Sequence, residues 1–274
     1  MPTIPFPTKK VTRATALKIF ARLQKAYPHA TTALRYRDTF ELLVAVILSA
    51  QCTDARVNMI TPALFAKYPD AEALAKARLE DVERIIKSCG FYRAKARNIV
   101  AAARALVERH RGEVPNDREA LEALPGVGRK TANVVLAVAF GQPAFAVDTH
   151  VFRVAHRLGL TLGKTPLEVE RDITALLPRE KWGQATHWLI LHGRQICKAP
   201  IPLCGRCPVA DLCPTAPIVA KLMTKTAAAR GQGAKAAGAS RRGSAPATSK
   251  KASAARPPTR KKTVRTKPSG KARS

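Results

Sequence analysis

Lys130 and Asp148 are the residues of this sequence whose types and surroundings best suit covalent chemistry. Lys130 directly follows Gly126-Val127-Gly128-Arg129, and Asp148 lies eighteen positions later in Val-Asp-Thr-His. A lysine in the first turn of a helix is a possible amine nucleophile, because the helix N-terminus disfavours its ammonium form. A nearby carboxylate can move protons or stabilise a developing positive charge. The alternative interpretations are an added charge for Lys130 and a helix N-cap for Asp148.

The glycine turn before Lys130 predicts a site for an anion. Two helices joined by Gly126-Val127-Gly128 leave unpaired backbone N–H groups at the start of the second helix, where Arg129 adds a positive charge. Glycine permits close backbone approach and a positive φ angle. Such a turn binds a phosphate backbone without reading its sequence. On its own it is equally consistent with a tight connection between two helices.

The charge of the chain favours a nucleic acid as the anion. The 274 residues carry a net charge of +29, and the 16 Lys and Arg of residues 221–274, which contain no Asp or Glu, leave +13 for residues 1–220. A basic body followed by a basic tail indicates binding to DNA or RNA. An anionic membrane surface fits less well, since the tail has no regular apolar face.

Composition predicts a soluble protein with a substantial folded core. Hydrophobic residues make up 46% of the chain, and no apolar run approaches the roughly 20 residues that span a bilayer. The lack of acids before Asp38 is typical of an organellar transit peptide, but residues 12–26 have the pattern of an ordinary amphipathic helix. We therefore expect a mature cytoplasmic protein.

Helical periodicity runs through nearly all of the sequence up to about residue 216, and no alternating strand is evident, so the predicted fold class is all-α. Several start signals are expected: Asp38 with Glu41, Asn116, Asp148, and Thr165 with Pro166 and Glu168. Helices are predicted over residues 12–26, from Asp38 through 48, over 54–67, 71–76, 79–88 and 93–110, from Asn116 to 124, from the glycine turn to Gly141, from Asp148 to before Gly159, from Thr165, and over 180–192.

After about residue 216 the composition changes to Ala, Lys, Arg, Ser, Thr, Pro and Gly. Such a segment has too little apolar surface to offset the entropy of ordering, so residues 217–274 are predicted to form a disordered basic tail.

Four cysteines predict a metal centre. They follow the spacing Cys197-x6-Cys204-x2-Cys207-x5-Cys213, whereas Cys52 and Cys89 stand alone in apolar helical patterns. Crowded cysteines in a chain without a secretory signal indicate metal binding in a reducing compartment. Zinc is the simplest structural metal. The single Cys-x2-Cys and the wider gaps favour an iron–sulfur cluster without deciding between the two.

These motifs together resemble the endonuclease III family of helix-hairpin-helix DNA glycosylases. The resemblance rests on Leu-Pro-Gly-Val-Gly-Arg-Lys-Thr-Ala-Asn, Val-Asp-Thr-His and the cysteine spacing, in that order. It also includes Leu-Ser-Ala-Gln at 48–51 and His-Trp-Leu-Ile-Leu-His-Gly-Arg at 187–194, and it covers residues 12 to 214. The tail lies outside it.

The resemblance implies a bifunctional DNA glycosylase that repairs oxidised pyrimidines. Lys130 matches the nucleophile that attacks C1′, forms a Schiff base and cuts the strand by β-elimination. Asp148 matches the carboxylate that assists deprotonation of the lysine. Cys197, Cys204, Cys207 and Cys213 match the ligands of a [4Fe–4S] cluster that shapes a basic loop. Arg194, Lys198 and Arg206 are expected near that loop.

The resemblance also implies how DNA is held. Gln51 matches a glutamine that fills the gap left by the flipped nucleotide. Phe91 takes a second wedge position that is usually leucine, and its alternative interpretation is a core aromatic. His150, His187 and His192 have no metal-ligand spacing and are expected to be structural, and His150 also joins the expected DNA contacts. The complete set of expected DNA contacts is Gln51, Phe91, Gly126, Val127, Gly128, Arg129 and His150.

The implied architecture is two helical lobes on either side of a DNA-binding cleft. Residues 32–142 are expected to form a six-helix barrel with the helix-hairpin-helix motif. Residues 1–31 and 143–216 are expected to form the iron–sulfur lobe. We expect a monomer that acts on double-stranded DNA with damaged pyrimidines or abasic sites in the bacterial cytoplasm, associated with the nucleoid.

Other functions remain possible from the residues alone. A monofunctional adenine mismatch glycosylase would use the aspartate without Lys130 and would carry a folded C-terminal domain. A non-enzymatic DNA-binding protein with a structural metal would not require Lys130 and Asp148 together. An electron carrier is disfavoured because the chain is large and basic.

Overall fold

The computed structural model describes residues 4–224, which are helical with connecting loops and contain no strand. The all-α prediction is therefore confirmed. The α-helices are α1 (Arg13–Ala26), α2 (Thr39–Ser49), α3 (Asp54–Lys67), α4 (Ala71–Ala75), α5 (Leu79–Ile86), α6 (Tyr92–His110), α7 (Arg118–Glu122), α8 (Arg129–Ala139), α9 (Thr149–Arg157), α10 (Pro166–Leu176) and α11 (Trp182–Gln195). Short 3₁₀ turns lie at Arg179–Lys181, Cys204–Arg206 and Ala210–Leu212.

Side-chain caps set the first residue of most of these helices. Asp38, Asp148 and Thr165 each accept a hydrogen bond from the backbone N–H three residues on, which satisfies a donor that the helix leaves unpaired. Thr165 and Glu168 form the full capping box. Glu41 departs from the expected box, because its carboxylate accepts from the N–H of Arg37.

Several helix boundaries differ from the predicted ones, two of them with a clear physical reason or by a full turn. Helix α7 is capped by Asp117, whose Oδ1 accepts from Ala120 N–H at 2.9 Å. The side chain of Asn116 instead accepts a hydrogen bond from Gln142 Nε2. Helix α11 continues to Gln195, three residues past the predicted end.

The segment after the last cysteine corrects the predicted start of the tail. Residues 216–224 are helical, and Val219 is buried, which gives the segment an apolar anchor. Its first helical hydrogen bond runs from Val219 N–H to the Thr215 carbonyl, and the Thr215 hydroxyl donates to the Arg157 carbonyl of the body. The rest of the predicted disordered tail, residues 225–274, lies outside the described residues.

Buried apolar side chains form two clusters. One contains residues of α2 to α8 and their connections, from Leu34 to Ala144. The other joins α1 to α9, α10, α11 and the cysteine segment, from Ala16 to Val209. The division into lobes at 32–142 and at 1–31 with 143–216 stays a prediction.

Helices α8, α9 and α11 bring the two clusters together. Asn133 of α8 is buried and donates from Nδ2 to the Phe145 carbonyl at 2.8 Å. Gly183 of α11 allows close packing on α8, since a Cβ there would lie 3.2 Å from Ala137 Cβ, and Gly193 of α11 does the same against His150 of α9. The residues that begin α8 and α9 therefore meet near the junction of the clusters. No helix within residues 4–224 is long and apolar enough to cross a membrane.

Candidate active site and cysteine cavity

Lys130 and Asp148 line the same two cavities. The more open one, of about 590 Å³, also involves Ser49, Gln51 and Arg194. A smaller one of about 100 Å³ includes Asn133, Thr186 and His187. A groove of about 750 Å³ between His29 and Arg179 is larger but contains neither Lys130 nor Asp148. The chemistry of the lining side chains, rather than size, therefore selects the candidate active site.

Lys130 is exposed at the start of α8. Its ammonium makes no hydrogen bond or ion pair with any residue in the described range. Gly128 is the N-cap and supplies no capping side chain. The first helical bond runs from Ala132 N–H to the Gly128 carbonyl at 3.0 Å, so the preceding N–H groups have no partner within the helix. An accessible amine and free N–H groups therefore share one helix end.

The glycine turn has a conformation that few other residues could adopt. Gly126 has a φ of +79°, and a Cβ there would lie 2.8 Å from Asn98 Cβ. Gly128 has open space around its Cα, so a Cβ would meet no protein atom within 4 Å. The side chain of Val127 is buried in the core. Only the backbone of this turn is available to a ligand, as a phosphate site requires.

Asp148 is both a helix cap and a cavity-lining carboxylate. Its Oδ1 accepts from Val151 N–H at 2.7 Å, and the side chain is half-buried. The other oxygen has no protein hydrogen bond among the described residues, which leaves it available to a substrate or to the lysine. The two interpretations of this residue are therefore compatible.

Histidines and an arginine surround this carboxylate. Burial lowers the pKa of His150, against the raising effect of Asp148. Burial also lowers the pKa of His187, with a contribution from Arg194. Both imidazoles are thus biased toward the neutral form. Arg194 lies in the cavity wall, where Nη1 is 2.8 Å from Asp54 Oδ2.

Gln51 lines the more open cavity, and Phe91 lies on an adjoining loop, because a Cβ on Gly90 would be 3.4 Å from the Gln51 carbonyl oxygen. These two segments are called the rim loops. Gln51 and Phe91 both have left-handed backbone angles, with φ of 52° and 57°, a conformation that is costly for residues with a side chain. Gln51 is exposed, and Phe91 has 69% of its surface exposed. The interpretation of Phe91 as a core aromatic is therefore wrong.

The guanidinium of Arg129 is bound to a carboxylate of the protein, although the side chain is exposed at the surface. Its guanidinium forms two hydrogen bonds with Glu170 of α10, at 2.9 Å from Nε and 2.8 Å from Nη2. Glu170 also accepts from Asn133 Nδ2 at 3.2 Å. The side chain of Arg129 thus joins α8 to α10.

Cys197, Cys204, Cys207 and Cys213 line one cavity together with Arg157 and His192. Burial raises the pKa of Cys207 to about 11, and burial also raises the pKa of Cys204 and Cys213. His192 is fully buried with a pKa lowered by burial to about 4, and its Nδ1 is 3.1 Å from the Tyr27 hydroxyl. His192 is thus a structural residue of the cavity wall.

Sequence reasoning missed Arg157, which holds the cysteine segment in place. Its Nη1 donates to the Lys198 carbonyl at 2.7 Å and its Nη2 to the Pro200 carbonyl at 2.9 Å. Cys213 Sγ and Thr215 Oγ1 both donate to the Arg157 carbonyl. An arginine that is only 5% exposed gives no sign of this role in the sequence, because its partners lie about 40 residues away.

The spacing of these cysteines suits a group larger than one metal ion. Zinc–thiolate bonds of about 2.3 Å would hold the sulfurs close to one point. All four cysteines line one cavity. Four thiolates around a wider centre are the ligand set of an iron–sulfur cluster. The donor set and its enclosure fit that group.

Known proteins are similar to this chain in sequence and in fold. Residues 44–179 match the model of the HhH-GPD superfamily base excision DNA repair proteins. Endonuclease III of Synechocystis is 54% identical over 202 residues, which is 73% of this chain and 92% of the relative. Endonuclease III of Escherichia coli K12 is 50% identical over 201 residues, covering 73% and 95%. The chain belongs to the endonuclease III family.

A solved structure extends this likeness to the three-dimensional fold. The trapped covalent intermediate of an endonuclease III with DNA superposes with a TM-score of 0.73 at 47% identity, covering 75% of this chain and 97% of that one. The resemblance based on the hairpin, Asp148 and the cysteines is therefore confirmed. As a member of this family the protein is a base excision repair enzyme, a DNA glycosylase and abasic-site lyase.

Proposed function

We propose that the protein removes oxidised pyrimidines from double-stranded DNA and cuts the abasic strand by β-elimination. The observation that carries the proposal is the exposed, unpaired amine of Lys130 in one cavity with the Asp148 carboxylate. A lysine amine can form a Schiff base with the sugar, which a carboxylate alone cannot do. This distinguishes the proposed enzyme from a monofunctional adenine mismatch glycosylase.

The reaction begins with proton transfer and attack. The carboxylate of Asp148 assists removal of a proton from the Lys130 ammonium, and the free amine attacks C1′ of the damaged nucleotide. The C1′–N bond breaks and the base leaves with its bonding electrons and a proton. The negative charge of Asp148 stabilises the positive charge that develops on the sugar.

The strand is then cut without water as a nucleophile. The sugar ring opens, and the nitrogen of Lys130 forms a protonated Schiff base with C1′. C2′ loses a proton, and the iminium accepts the electrons of the C2′–H bond. The resulting enamine then forms a C2′–C3′ double bond and expels the 3′ phosphate. Hydrolysis of the Schiff base returns the lysine amine.

DNA binding is proposed to use the turn and the two rim loops. The backbone of Gly126, Val127 and Gly128 and the N-terminus of α8 hold a phosphate. We include Arg129 through its backbone N–H, since its guanidinium is bound to Glu170. His150 contributes from the cavity wall.

Gln51 and Phe91 are proposed to enter the duplex where the damaged nucleotide is flipped out. Extruding a base costs a few kcal/mol, and the cost is lowest for a weakened base pair. The exposure of these side chains supports the proposal, and an aromatic ring is an effective wedge.

The four cysteines are proposed to hold a [4Fe–4S] cluster. Bound in this cavity, the cluster would fix the path of residues 197–213 and thereby the basic side chains of that loop. Arg157 supports the same segment from α9. We further propose that the protein works as a monomer on damaged or abasic DNA, in association with the bacterial nucleoid.

A panel of duplexes tests this function. Each duplex carries one lesion: thymine glycol, dihydrothymine, hydroxycytosine or an abasic site, with undamaged DNA and an adenine mismatch as controls. We expect excision, strand cleavage and borohydride-trapped complexes with the oxidised pyrimidines. Excision of the mismatched adenine without any trapped complex would contradict the proposal.

A further inference from the structure

Cys52 and Cys89 are the two cysteines outside the group of four that lines the cysteine cavity, and the structure brings them together. Their sulfur atoms are 3.4 Å apart although the residues are separated by 37 positions in sequence. Cys89 is buried, with 2% of its surface exposed, and Cys52 is half-buried. Two cysteines that stand alone in the sequence are therefore in contact in the folded protein.

The pair lies at the base of the two rim loops. Cys52 directly follows Gln51, and Cys89 precedes Gly90 and Phe91. The loops are also in backbone contact, because a Cβ on Gly90 would lie 3.4 Å from the Gln51 carbonyl oxygen. A covalent bond between the sulfurs would therefore join the two loops close to their exposed side chains.

The two thiols differ in access and in environment. Cys52 lines the open cavity of about 590 Å³ with Lys130 and Asp148, so a small molecule can reach it. Burial and contact with Cys52 raise the pKa of Cys89 to about 11, while Lys95 and Arg56 act in the opposite direction. The Lys95 ammonium is buried and has no hydrogen-bond partner among the described residues. A buried positive charge near the pair favours a thiolate during reaction.

We propose that Cys52 and Cys89 are a redox-active dithiol whose disulfide cross-links the loops of Gln51 and Phe91. The oxidant is a low-molecular-weight disulfide. The Cys52 thiolate attacks one of its sulfurs and releases one small thiol, which leaves a mixed disulfide on Cys52. Cys89 loses its proton, attacks Cys52 Sγ and releases the second small thiol. Two electrons pass from the protein thiols to the oxidant, which is reduced to two thiols.

The geometry requires little movement. A disulfide bond is about 2.05 Å long, so the sulfurs must approach by about 1.4 Å from their present separation of 3.4 Å. Rotation about the side-chain bonds and a small shift of either loop supply such a change. The cross-link would therefore hold the loops near the arrangement described above.

The cross-link should slow the flipping of a base, and this consequence rests on the proposed function. Gln51 and Phe91 must enter the duplex together with extrusion of the nucleotide, and steps of this kind set the rate of many enzymes. Loops that are tied together cannot adjust independently to the DNA. The lyase reaction on single-stranded abasic DNA needs no insertion opposite a partner strand and should not change.

Peptide mapping tests the bond itself. The complete protein is equilibrated without oxygen in glutathione buffers of increasing disulfide content, and free thiols are then blocked before digestion. We expect a cross-linked peptide pair containing Cys52 and Cys89, and its loss in Cys52→Ser. In Cys89→Ser, Cys52 should instead accumulate as a stable mixed disulfide with glutathione. Absence of the cross-link in every buffer would overturn the proposal.

Excision rates test the restraint. Oxidised and reduced protein are compared in single turnover on duplex DNA with one oxidised pyrimidine, and the absorbance of any bound iron–sulfur group is followed as a control. We expect the oxidised protein to be slower by roughly threefold or more on the duplex and unchanged on single-stranded abasic DNA. Thiol treatment should restore the rate, and Cys52→Ser should not respond to the buffer. A disulfide that forms without slowing duplex excision would overturn the restraint.

Discussion

The cavity at Lys130 and the cavity of the four cysteines differ in how their reactive groups are presented. Lys130 is exposed and makes no protein contact through its amine in the described part of the chain. The cysteines face an enclosed cavity, and Arg157 and His192 pack around them. A nucleophile must remain open to its substrate, whereas a structural group must be kept from solvent. Substitutions in the first region should therefore impair catalysis, and those in the second should impair stability.

The largest effect is expected from Lys130→Ala. Removal of the amine leaves no group that can form the Schiff base, so excision of an oxidised pyrimidine should fall by roughly 10³-fold or more. Lys18→Ala is the matched control, because Lys18 is an exposed lysine on α1 that lines neither cavity. Single-turnover rates measure the effect on catalysis, and thermal melting measures the effect on stability. A variant that melts like the parent and retains its excision rate would contradict the account.

Asp148→Asn separates the two roles of that residue. Asparagine is as good an N-cap as aspartate, so the hydrogen bond from Val151 N–H should persist and the melting temperature should change little. Loss of the negative charge should slow excision by about 10²- to 10⁴-fold. Asp117→Asn, which makes the same change at the cap of α7, should leave the rate unaltered. Equal excision rates for the two variants would mean that Asp148 acts only as a helix cap.

In contrast to the changes at Lys130 and Asp148, Cys207→Ser should impair stability. Anaerobically purified parent protein should be brown with about four irons per chain, and the variant should lose iron together with on the order of 3 kcal/mol of stability, or about 10 °C in melting temperature. Cys52→Ser serves as control and should retain its iron. Iron analysis and absorbance measure the group. Colourless parent protein with one zinc per chain would contradict the proposed cluster.

The smallest effect concerns the glycine turn. Gly126→Ala forces a side chain into a left-handed residue and against Asn98, which should cost about 2 kcal/mol and lower the melting temperature by about 6 °C. Gly128→Ala has no such clash, so its melting temperature should stay within about 2 °C of the parent. Its added methyl group should instead weaken DNA binding, measured by fluorescence anisotropy. Equal melting temperatures for the two variants would contradict the conformational argument.

Local signals predicted much of the fold. Helix α3 occupies Asp54–Lys67 as periodicity indicated, and Asp148 and Thr165 begin helices as their capping chemistry required. Asn116 misled the prediction because the neighbouring Asp117 offers an equally good cap. Two adjacent capping residues cannot be ranked without knowing which of them has a distant partner, here Gln142.

The sequence pattern could not predict contacts between segments that are distant along the chain. The approach of Cys52 to Cys89, the pairing of Arg129 with Glu170 and the bonds of Arg157 to the cysteine segment each depend on how helices pack. Periodicity shows which face of a helix is buried, but not which side chain of another helix lies against it. Residue types and spacing singled out Lys130, Asp148 and the four cysteines, the resemblance supplied their expected roles, and the structure supplied the residues around them.

The central claim is that Lys130 is the residue that bonds to DNA. Protein and a duplex with one oxidised pyrimidine are mixed with borohydride, the covalent complex is digested by nuclease and protease, and the modified peptide is sequenced by mass spectrometry. The account predicts that the reduced sugar remnant is attached to Lys130 alone. A remnant on another lysine or on the N-terminal amine would contradict it.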